Sequence, residues 1–242
     1  MICDSVSSQL KARFAWARRV AVLAGAGVSA ESGVPTFRGG GDSVVWRGFP
    51  FEQLSSPEML EANPALFWEW FNYRRAIILQ VKPNPAHYAL ADWQTRFEAF
   101  TLVTQNIDDL HHLAGSRDVL ELHGNIWRAR CMACGQLIEH REAPIRENLP
   151  RCLCGGILRP DVVLFGESLP QEGWQKAFEV ASRCDLFFVV GTSAIVYPAA
   201  ELPLVAKRSG AFLIEVNPEA TPLTSIADAT VLGKAGEVLP RF

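Results

Sequence analysis

The sequence has no excess of positive charge: 23 lysines and arginines stand against 26 aspartates and glutamates, for a formal net charge of -3. Nothing in that balance points to a nucleic-acid or anionic-membrane partner. Long apolar runs are missing as well. The stretch Val20–Ala26 is far short of the roughly 20 apolar residues a membrane-spanning helix needs. Residues Met1–Ala17 lack the apolar core and cleavage site of a signal peptide, so the expectation is a cytoplasmic protein without membrane attachment. Internal repeats, low-complexity tracts and clear linkers are also wanting.

What remains is a chain of ordinary globular composition, 49% hydrophobic and 20% charged, with 242 residues available for one large domain or one domain carrying an insert. Gln9–Arg19 reads as a helix. Val20–Ala24 is a short continuous apolar run that leads into Gly25-Ala26-Gly27, the pattern of a buried strand ending in a glycine turn. Further strands are expected at Phe100–Thr104, Val162–Phe165, Leu186–Val190 and Ala211–Val216. Helical patterns lie at Asn84–Arg96, Gln171–Ser182 and Ala199–Ser209. This alternation predicts an α/β fold with a mostly parallel, Rossmann-like sheet. Two stretches interrupt it: the aromatic-rich Gly39–Val81, read as a helical insert, and Arg128–Gly156, which holds paired cysteines. The resulting expectation is a Rossmann-like domain of residues 1–40, 84–127 and 157–242, with a helical insert (41–83) and a metal module (128–156) forming a small domain.

Gly25, Gly27 and Ala30 fit G-x-G-x-x-A after a strand, a turn whose N–H groups approach a pyrophosphate at a helix N-terminus. The same residues equally describe a plain strand-to-helix turn. Gly33 and Pro35 stop any helix within about two turns. The acidic residue that a dehydrogenase fingerprint places about 20 positions on falls here in a glycine loop, Gly39–Asp42. A dinucleotide site survives this reading; the usual hydride-transfer layout does not.

Three other clusters carry chemistry. Thr104–His111 follows the second strand, where open α/β sheets bind ligands, and Asn106 with Asp108 would suit a carboxamide. Either residue equally suits a helix N-cap. Among the five histidines (87, 111, 112, 123 and 140), position alone does not single out His123 as a base. Cys131, Cys134, Cys152 and Cys154 form a C-x-x-C and a C-x-C pair, enough for one closed tetrahedral zinc site. The alternative is four reduced, buried thiols. A nucleic-acid-binding ribbon is disfavoured because Glu139, Glu142 and Glu147 offset the arginines. The C-x-C knuckle requires a tighter turn than its partner. Cys3 and Cys184 lie outside the set.

These segments together resemble the sirtuin family. Gly25–Arg38 is similar to its cofactor-binding loop, Thr104–His111 to T-Q-N-I-D-x-L-H, Glu121–Asn125 to E-L-H-G-N, and Arg159–Glu167 to R-P-x-V-V-x-F-G-E. The likeness runs from about Val20 to the C-terminus. It implies NAD-dependent removal of acyl groups from protein lysines, giving nicotinamide and O-acyl-ADP-ribose, with NAD as co-substrate and one structural zinc. By the same likeness His123 is the general base, and Asn106 and Asp108 form the nicotinamide pocket with Ile107 beside it. The implied cofactor contacts are Gly25, Ala26, Gly27, Ala30, Glu31, Thr36, Phe37, Arg38, Gln105, Gly191, Thr192, Ser193, Asn217 and Ala235. Val163 and Phe165 would hold the acyl-lysine, and His87 looks structural. Phe71 and Arg74 align with the Tyr-x-x-Arg of desuccinylating and demalonylating sirtuins, but Phe71 replaces the tyrosine, and Tyr73 is not on the matching face. Negatively charged acyl groups therefore stay open beside acetyl and longer apolar ones. The expected partners are acylated-lysine proteins or peptides, met by a monomer. An NAD-consuming ADP-ribosyltransferase or NAD hydrolase on the same scaffold, or a non-catalytic NAD- or zinc-binding module, are the competing readings.

Overall fold

In the computed structural model, which describes residues 2–3, 6–36, 45–145 and 149–242, the strands are β1 (Ile2–Cys3), β2 (Arg19–Ala24), β3 (Val45–Trp46), β4 (Phe49–Pro50), β5 (Ala99–Thr104) and β6 (Leu120–Glu121). They continue with β7 (Gly124–Cys131), β8 (Leu137–Glu139), β9 (Leu158–Val162), β10 (Leu186–Val190), β11 (Phe212–Asn217) and β12 (Ala229–Leu232). Seven of them form one sheet in the order β1-β12-β11-β10-β2-β5-β6, and every neighbouring pair is parallel. The Rossmann-like reading of the sequence is what the structure shows. β2 is apolar at almost every position because both sheet faces are covered. Val20, Val22 and Ala24 pack into one core with Leu90, Trp93 and Phe188. Ala21 and Leu23 pack into another with Ala177, Ala181 and Leu202.

A second, three-stranded antiparallel sheet has the order β8-β7-β9. The segment expected as a parallel strand at Val162–Phe165 belongs here instead. Its strand is Leu158–Val162, paired with β7, and the chain leaves the sheet at Val163. Antiparallel pairing suits a chain that returns from the cysteine knuckles to the strand it left, whereas parallel pairing needs a long crossover. The short strands β1, β6 and β12, two to four residues long, escape the sequence pattern because so few residues show no period.

The helix Pro64–Ile78 joins this small sheet to the site. Asn63 caps it and Pro64 occupies its first turn. Its Phe67, Trp68, Trp70 and Phe71 enter a core shared with Trp127, Ala129, Cys131 and Leu158. The Trp68 indole donates to the Leu158 carbonyl at 2.9 Å. Arg75, wholly buried, donates twice to the Ile126 carbonyl, at 2.9 and 2.6 Å, and its guanidinium meets His140 Nδ1 at 2.8 Å. The aromatic insert and the cysteine module thus share one core. No helix of the described residues is long and apolar enough to cross a membrane.

Candidate active site

Register places the site. Ala24, Thr104 and Val190 end three adjacent central strands at one level, and Val216 of β11 lies beside Val190. The loops that follow therefore converge at the C-terminal edge of the sheet, where the chain has turned to opposite sides of β2. They approach closely. The Gly27 N–H donates to the Gly191 carbonyl at 2.7 Å. A Cβ on Gly27 would stand 2.7 Å from that oxygen, and one on Gly25 2.6 Å from Thr192 Cβ. Gly191, at φ +58°, would place a Cβ 2.5 Å from the Val28 nitrogen. These glycines are required first by backbone packed on backbone. The contact also leaves Ala26–Ala30 as a helix of only five residues, as short as Gly33 and Pro35 foretell.

Two consecutive residues stitch the loops together. The Gln105 N–H donates to the Ala24 carbonyl at 2.9 Å, and its side-chain amide donates to Thr192 Oγ1 at 3.1 Å. The Asn106 amide donates to the Gly25 carbonyl and to Ser29 Oγ, each at 3.1 Å. The Gln105 carbonyl in turn accepts from His123 Nδ1 at 2.9 Å. A carbonyl only accepts, so Nδ1 carries the proton and Nε2 is the basic nitrogen. His123 is partly exposed, and burial holds its pKa below the usual histidine value, against the opposing pull of that carbonyl. The imidazole is thus a neutral base in a fixed tautomer, one residue from the amide that grips the glycine turn.

Asp108 is 4% exposed, and desolvation pushes its carboxyl above the ordinary range despite bonds from the Leu110 N–H and the Ser29 hydroxyl and attraction to Arg74. The Leu110 bond, 3.0 Å, satisfies a free N–H at the start of the next helix, although the N-cap position itself is Asp109. Asn106 caps nothing; its amide faces the glycine turn. Ile107 packs against the small-sheet core, and its carbonyl accepts from Ile126 N–H at 2.9 Å. Arg74 is 4% exposed, not a surface arginine. Its guanidinium donates to the Pro35 carbonyl at 3.3 Å and lies 5.8 Å from the Trp70 ring centre. Phe71 is 3% exposed, and Tyr73 points outward, stacked 5.9 Å from Trp70.

Other expected residues take less central positions. Ala26 and Ala30 bound the short helix. The Glu31 carboxylate accepts from the Gly236 N–H at 2.8 Å and so meets the helix that begins at Ala235. Thr36 is half-buried at the edge of the described segment, and Ser193 is half-buried after Thr192; Phe37, Arg38 and the Gly39–Asp42 loop lie outside the described residues. The Asn217 amide turns to the Glu219 carbonyl at 3.0 Å. The Val163 N–H donates to the His123 carbonyl at 2.9 Å, which ties the end of β9 to the base. Phe165, 39% exposed, stands edge-on to Phe51 at 5.4 Å. Sequence reasoning missed Ser29, Asn125 and Trp127. Asn125 donates to Asp109 and Glu121, and the Trp127 indole donates to the Asp108 carbonyl at 3.2 Å. A buried serine inside a glycine turn was the one available signal.

The Sγ atoms of Cys131, Cys134, Cys152 and Cys154 all lie within 4.8 Å of one another. Cys131 and Cys154 are 3.5 Å apart, and Cys134 and Cys152 3.8 Å. A tetrahedral site with zinc–sulfur bonds of about 2.3 Å puts its sulfurs about 3.8 Å apart, so the donor set fits zinc. The C-x-C knuckle closes through left-handed Gly155 (φ +86°) and through Gly156, whose Cβ would stand 2.7 Å from Cys131 Sγ. Cys184 is buried elsewhere.

The site is that of an α/β protein with a glycine-rich nucleotide turn at the switch point of a parallel sheet and a four-cysteine zinc module beside it. Comparison with known proteins narrows this. The Sir2 family model matches residues 25–198. An NAD-dependent protein deacylase of Pyrobaculum aerophilum is 50% identical over 226 residues, covering 93% of this chain and 90% of that protein. A solved Sir2 homologue–NAD complex superposes with a TM-score of 0.92 at 41% identity, covering 100% of this chain and 94% of that one. A Sir2 homologue mutant in complex with 2'-O-acetyl ADP-ribose gives 0.90 at 42%, covering 97% and 94%. The chain belongs to the Sir2 family.

Two expectations follow. The purified chain should hold about one zinc ion, and Cys134→Ser or chelation should release it and unfold the β7–β9 sheet. Metal analysis with tryptophan fluorescence of Trp68 and Trp127 reads both. The second concerns buried histidines. Burial holds His87 down to about 4 and His111 to about 3, while both protonate near 6.5 when unfolded. Folding stability is therefore whole above about pH 6.5 and falls as pH drops toward 4, at up to about 1.4 kcal/mol per pH unit for each histidine. Neither ring nitrogen of His111 has a hydrogen-bond partner among the described residues. His111→Leu should thus lose little at pH 7 and roughly halve that slope in denaturant titrations at successive pH values.

Proposed function

We propose that this chain removes acyl groups from protein lysines at the expense of NAD, with His123 as the base. The carrying observation is the hydrogen-bonded chain from the Gly25 carbonyl through Asn106 and Gln105 to His123 Nδ1, which holds a neutral imidazole beside the glycine turn. The name of the Pyrobaculum relative and the nucleotide complexes of the solved neighbours support it. NAD supplies the leaving nicotinamide and the ADP-ribosyl acceptor for the acyl group. The glycine turn and the loop after β10 bind its phosphates and ribose, and Asn106 with Asp108 binds the carboxamide. His123 Nε2 takes a proton from a ribose hydroxyl, while the Gln105 carbonyl steadies the imidazolium that results. Val163 and Phe165 line the acyl-lysine path. We assign the NAD-binding lobe to residues 1–40, 84–127 and 157–242, and the small lobe to 41–83 and 128–156. Their shared core around Trp68 and Trp127 supports treating insert and module as one lobe.

The acyl group follows from Phe71 and Arg74. Phe71 has no hydroxyl for a distal carboxylate, and Arg74 is desolvated by burial and drawn toward Asp108. Neutral acyl groups should be preferred to succinyl or malonyl. One panel of acetyl, longer apolar, succinyl and malonyl peptides with labelled NAD tests both parts. His123→Ala should cut acyl loss and O-acyl-ADP-ribose formation at least 100-fold, about the least that general-base catalysis contributes. Acetyl turnover should persist below pH 6.5, because only the neutral imidazole works and its pKa is lowered. Phe71→Tyr should raise kcat/KM for succinyl peptide roughly tenfold and leave acetyl nearly unchanged, the gain expected from one hydrogen bond to a charged group. Nicotinamide release without acyl loss would instead mark a transferase or hydrolase.

A further inference from the structure

The strand β11 carries a buried carboxylate that the NAD-site reading leaves unused. Leu213, Glu215 and Asn217 alternate onto one face of that strand. Glu215 is 1% exposed, and a carboxylate taken out of water needs donors around it. Among the described residues these are three threonine hydroxyls and no cation. Thr221 donates to Oε1, while Thr224 and Thr230 donate to Oε2 at 2.6 and 3.0 Å. The Thr221 hydroxyl oxygen accepts from the Leu223 N–H at 3.1 Å, and that of Thr224 accepts from the Thr221 N–H at 2.9 Å. Each hydroxyl has one proton and a carboxylate only accepts, so both loop protons go to Glu215.

Two of the donors belong to the loop after β11, and one to the neighbouring strand. Thr221 caps the turn of 3-10 helix Pro222–Ser225, and Leu223 packs into the core that holds Leu213. Thr230 lies opposite Glu215 on β12. The loop is therefore folded back onto its own strand, and it starts at Asn217. The Gly191 N–H donates to the Val216 carbonyl and the Gly233 N–H to the Asn217 carbonyl, each at 3.0 Å. Asn217 thus stands between the loop after β10 and the turn at Gly233. Its Nδ2 donates to the Glu219 carbonyl at 3.0 Å. That carbonyl only accepts, so Nδ2 faces the loop and Oδ1 is left to accept from a ligand hydroxyl.

We propose that Glu215 is a positioning residue for the adenosine half of NAD. By gathering the Thr221 and Thr224 hydroxyls it sets the loop whose Glu219 carbonyl orients Asn217, and so aims Asn217 Oδ1 at a ribose hydroxyl. This rests on the NAD-site reading above and adds to it a member that touches no ligand. The alternative role is a fastener between β11 and β12 through Thr230, without bearing on the cofactor.

Calorimetric titration of NAD and of ADP-ribose into the zinc-loaded chain, well below each variant's melting temperature, separates these roles. The two ligands share the adenosine half and differ in the nicotinamide. Glu215→Gln keeps the size of the side chain but turns one accepting oxygen into a donor. It should weaken NAD and ADP-ribose alike, roughly tenfold, about the worth of one hydrogen bond to a charged group. In turnover the KM for NAD should rise by the same factor, with kcat and the nicotinamide inhibition constant nearly unchanged. Thr224→Val and Thr230→Val supply the test where Glu215→Gln does not fold, since each takes one donor from the same oxygen. Thr224→Val, on the loop, should weaken both ligands several-fold. Thr230→Val, on the neighbouring strand, should lower the melting temperature and leave both affinities as they are. Equal losses in the two threonine variants, unchanged affinities in Thr224→Val, or a loss of NAD without a loss of ADP-ribose would each overturn the inference and leave the NAD site standing. Failure of the unsubstituted chain to bind NAD would overturn both.

Discussion

The site depends on a steric constraint: three glycines, two after β2 and one after β10, let adjacent strand ends touch backbone to backbone. Gly27 and Gly191 meet through a 2.7 Å hydrogen bond, and no side chain fits at either position without displacing main-chain atoms. Parallel strands ordinarily splay their connecting loops apart to admit side chains. Here the loops are drawn together, so the polar groups of the β5 loop reach both at once: Gln105 to Thr192, Asn106 to Gly25. Glycine in such a turn is commonly explained by the ligand's approach. In this chain the protein's own backbone already makes the demand, and room for a pyrophosphate comes as a consequence of the same closeness.

A second consequence is electrostatic. The converging loops bury polar groups that would be costly alone, and each is satisfied by a neighbour with a fixed proton. His123 gives its Nδ1 proton to a carbonyl, His87 accepts at Nδ1 and so keeps its proton at Nε2, and Ser29 gives its only proton to Asp108. Two histidines in one region thus hold opposite tautomers, each set by a main-chain group that can play only one role. Arg74 and Arg75, adjacent in sequence, divide similarly. Arg74 faces the cofactor loop through the Pro35 carbonyl, and Arg75 grips Ile126 in the neck of the small sheet. Because Ile126 N–H also bonds the Ile107 carbonyl, the zinc-bearing strand is fastened to the very turn that carries Asn106 and Asp108.

Much of this was legible in the sequence, and the limits follow from physics. β2, β5, β10 and β11 announce themselves because strands buried on both faces are continuously apolar. The zinc ligands are legible because thiolate spacing is a local property of a knuckle. The segment at Val162–Phe165 misled because an apolar run does not say whether it will pair parallel or antiparallel; that is decided by β7, more than 30 residues earlier. Arg74 was open between surface and interior because helical position alone does not reveal which neighbours close over it. Ser29 and His87 carry no pattern at all: their chemistry exists only after residues 29, 84, 87, 106 and 108 come together from three segments.

The same reasoning bears on the tyrosine that Phe71 replaces. In the folded chain Phe71 is packed 4.8 Å from Phe67 within a closed core, and the nearest tyrosine, Tyr73, is committed to an outer stack with Trp46 and Trp70. A hydroxyl at position 71 would need a partner in that environment, since an unsatisfied one costs about 1–3 kcal/mol. Arg74 is desolvated by burial and attracted by Asp108, so on the proposed function a carboxylate on the acyl side would compete with Asp108 for it. A dicarboxylic acyl group would therefore meet an arginine whose field is partly spent and no second donor beside it. The proposed preference for an acyl group that asks for no counter-charge rests on this balance, and a single oxygen atom on residue 71 is what tests it.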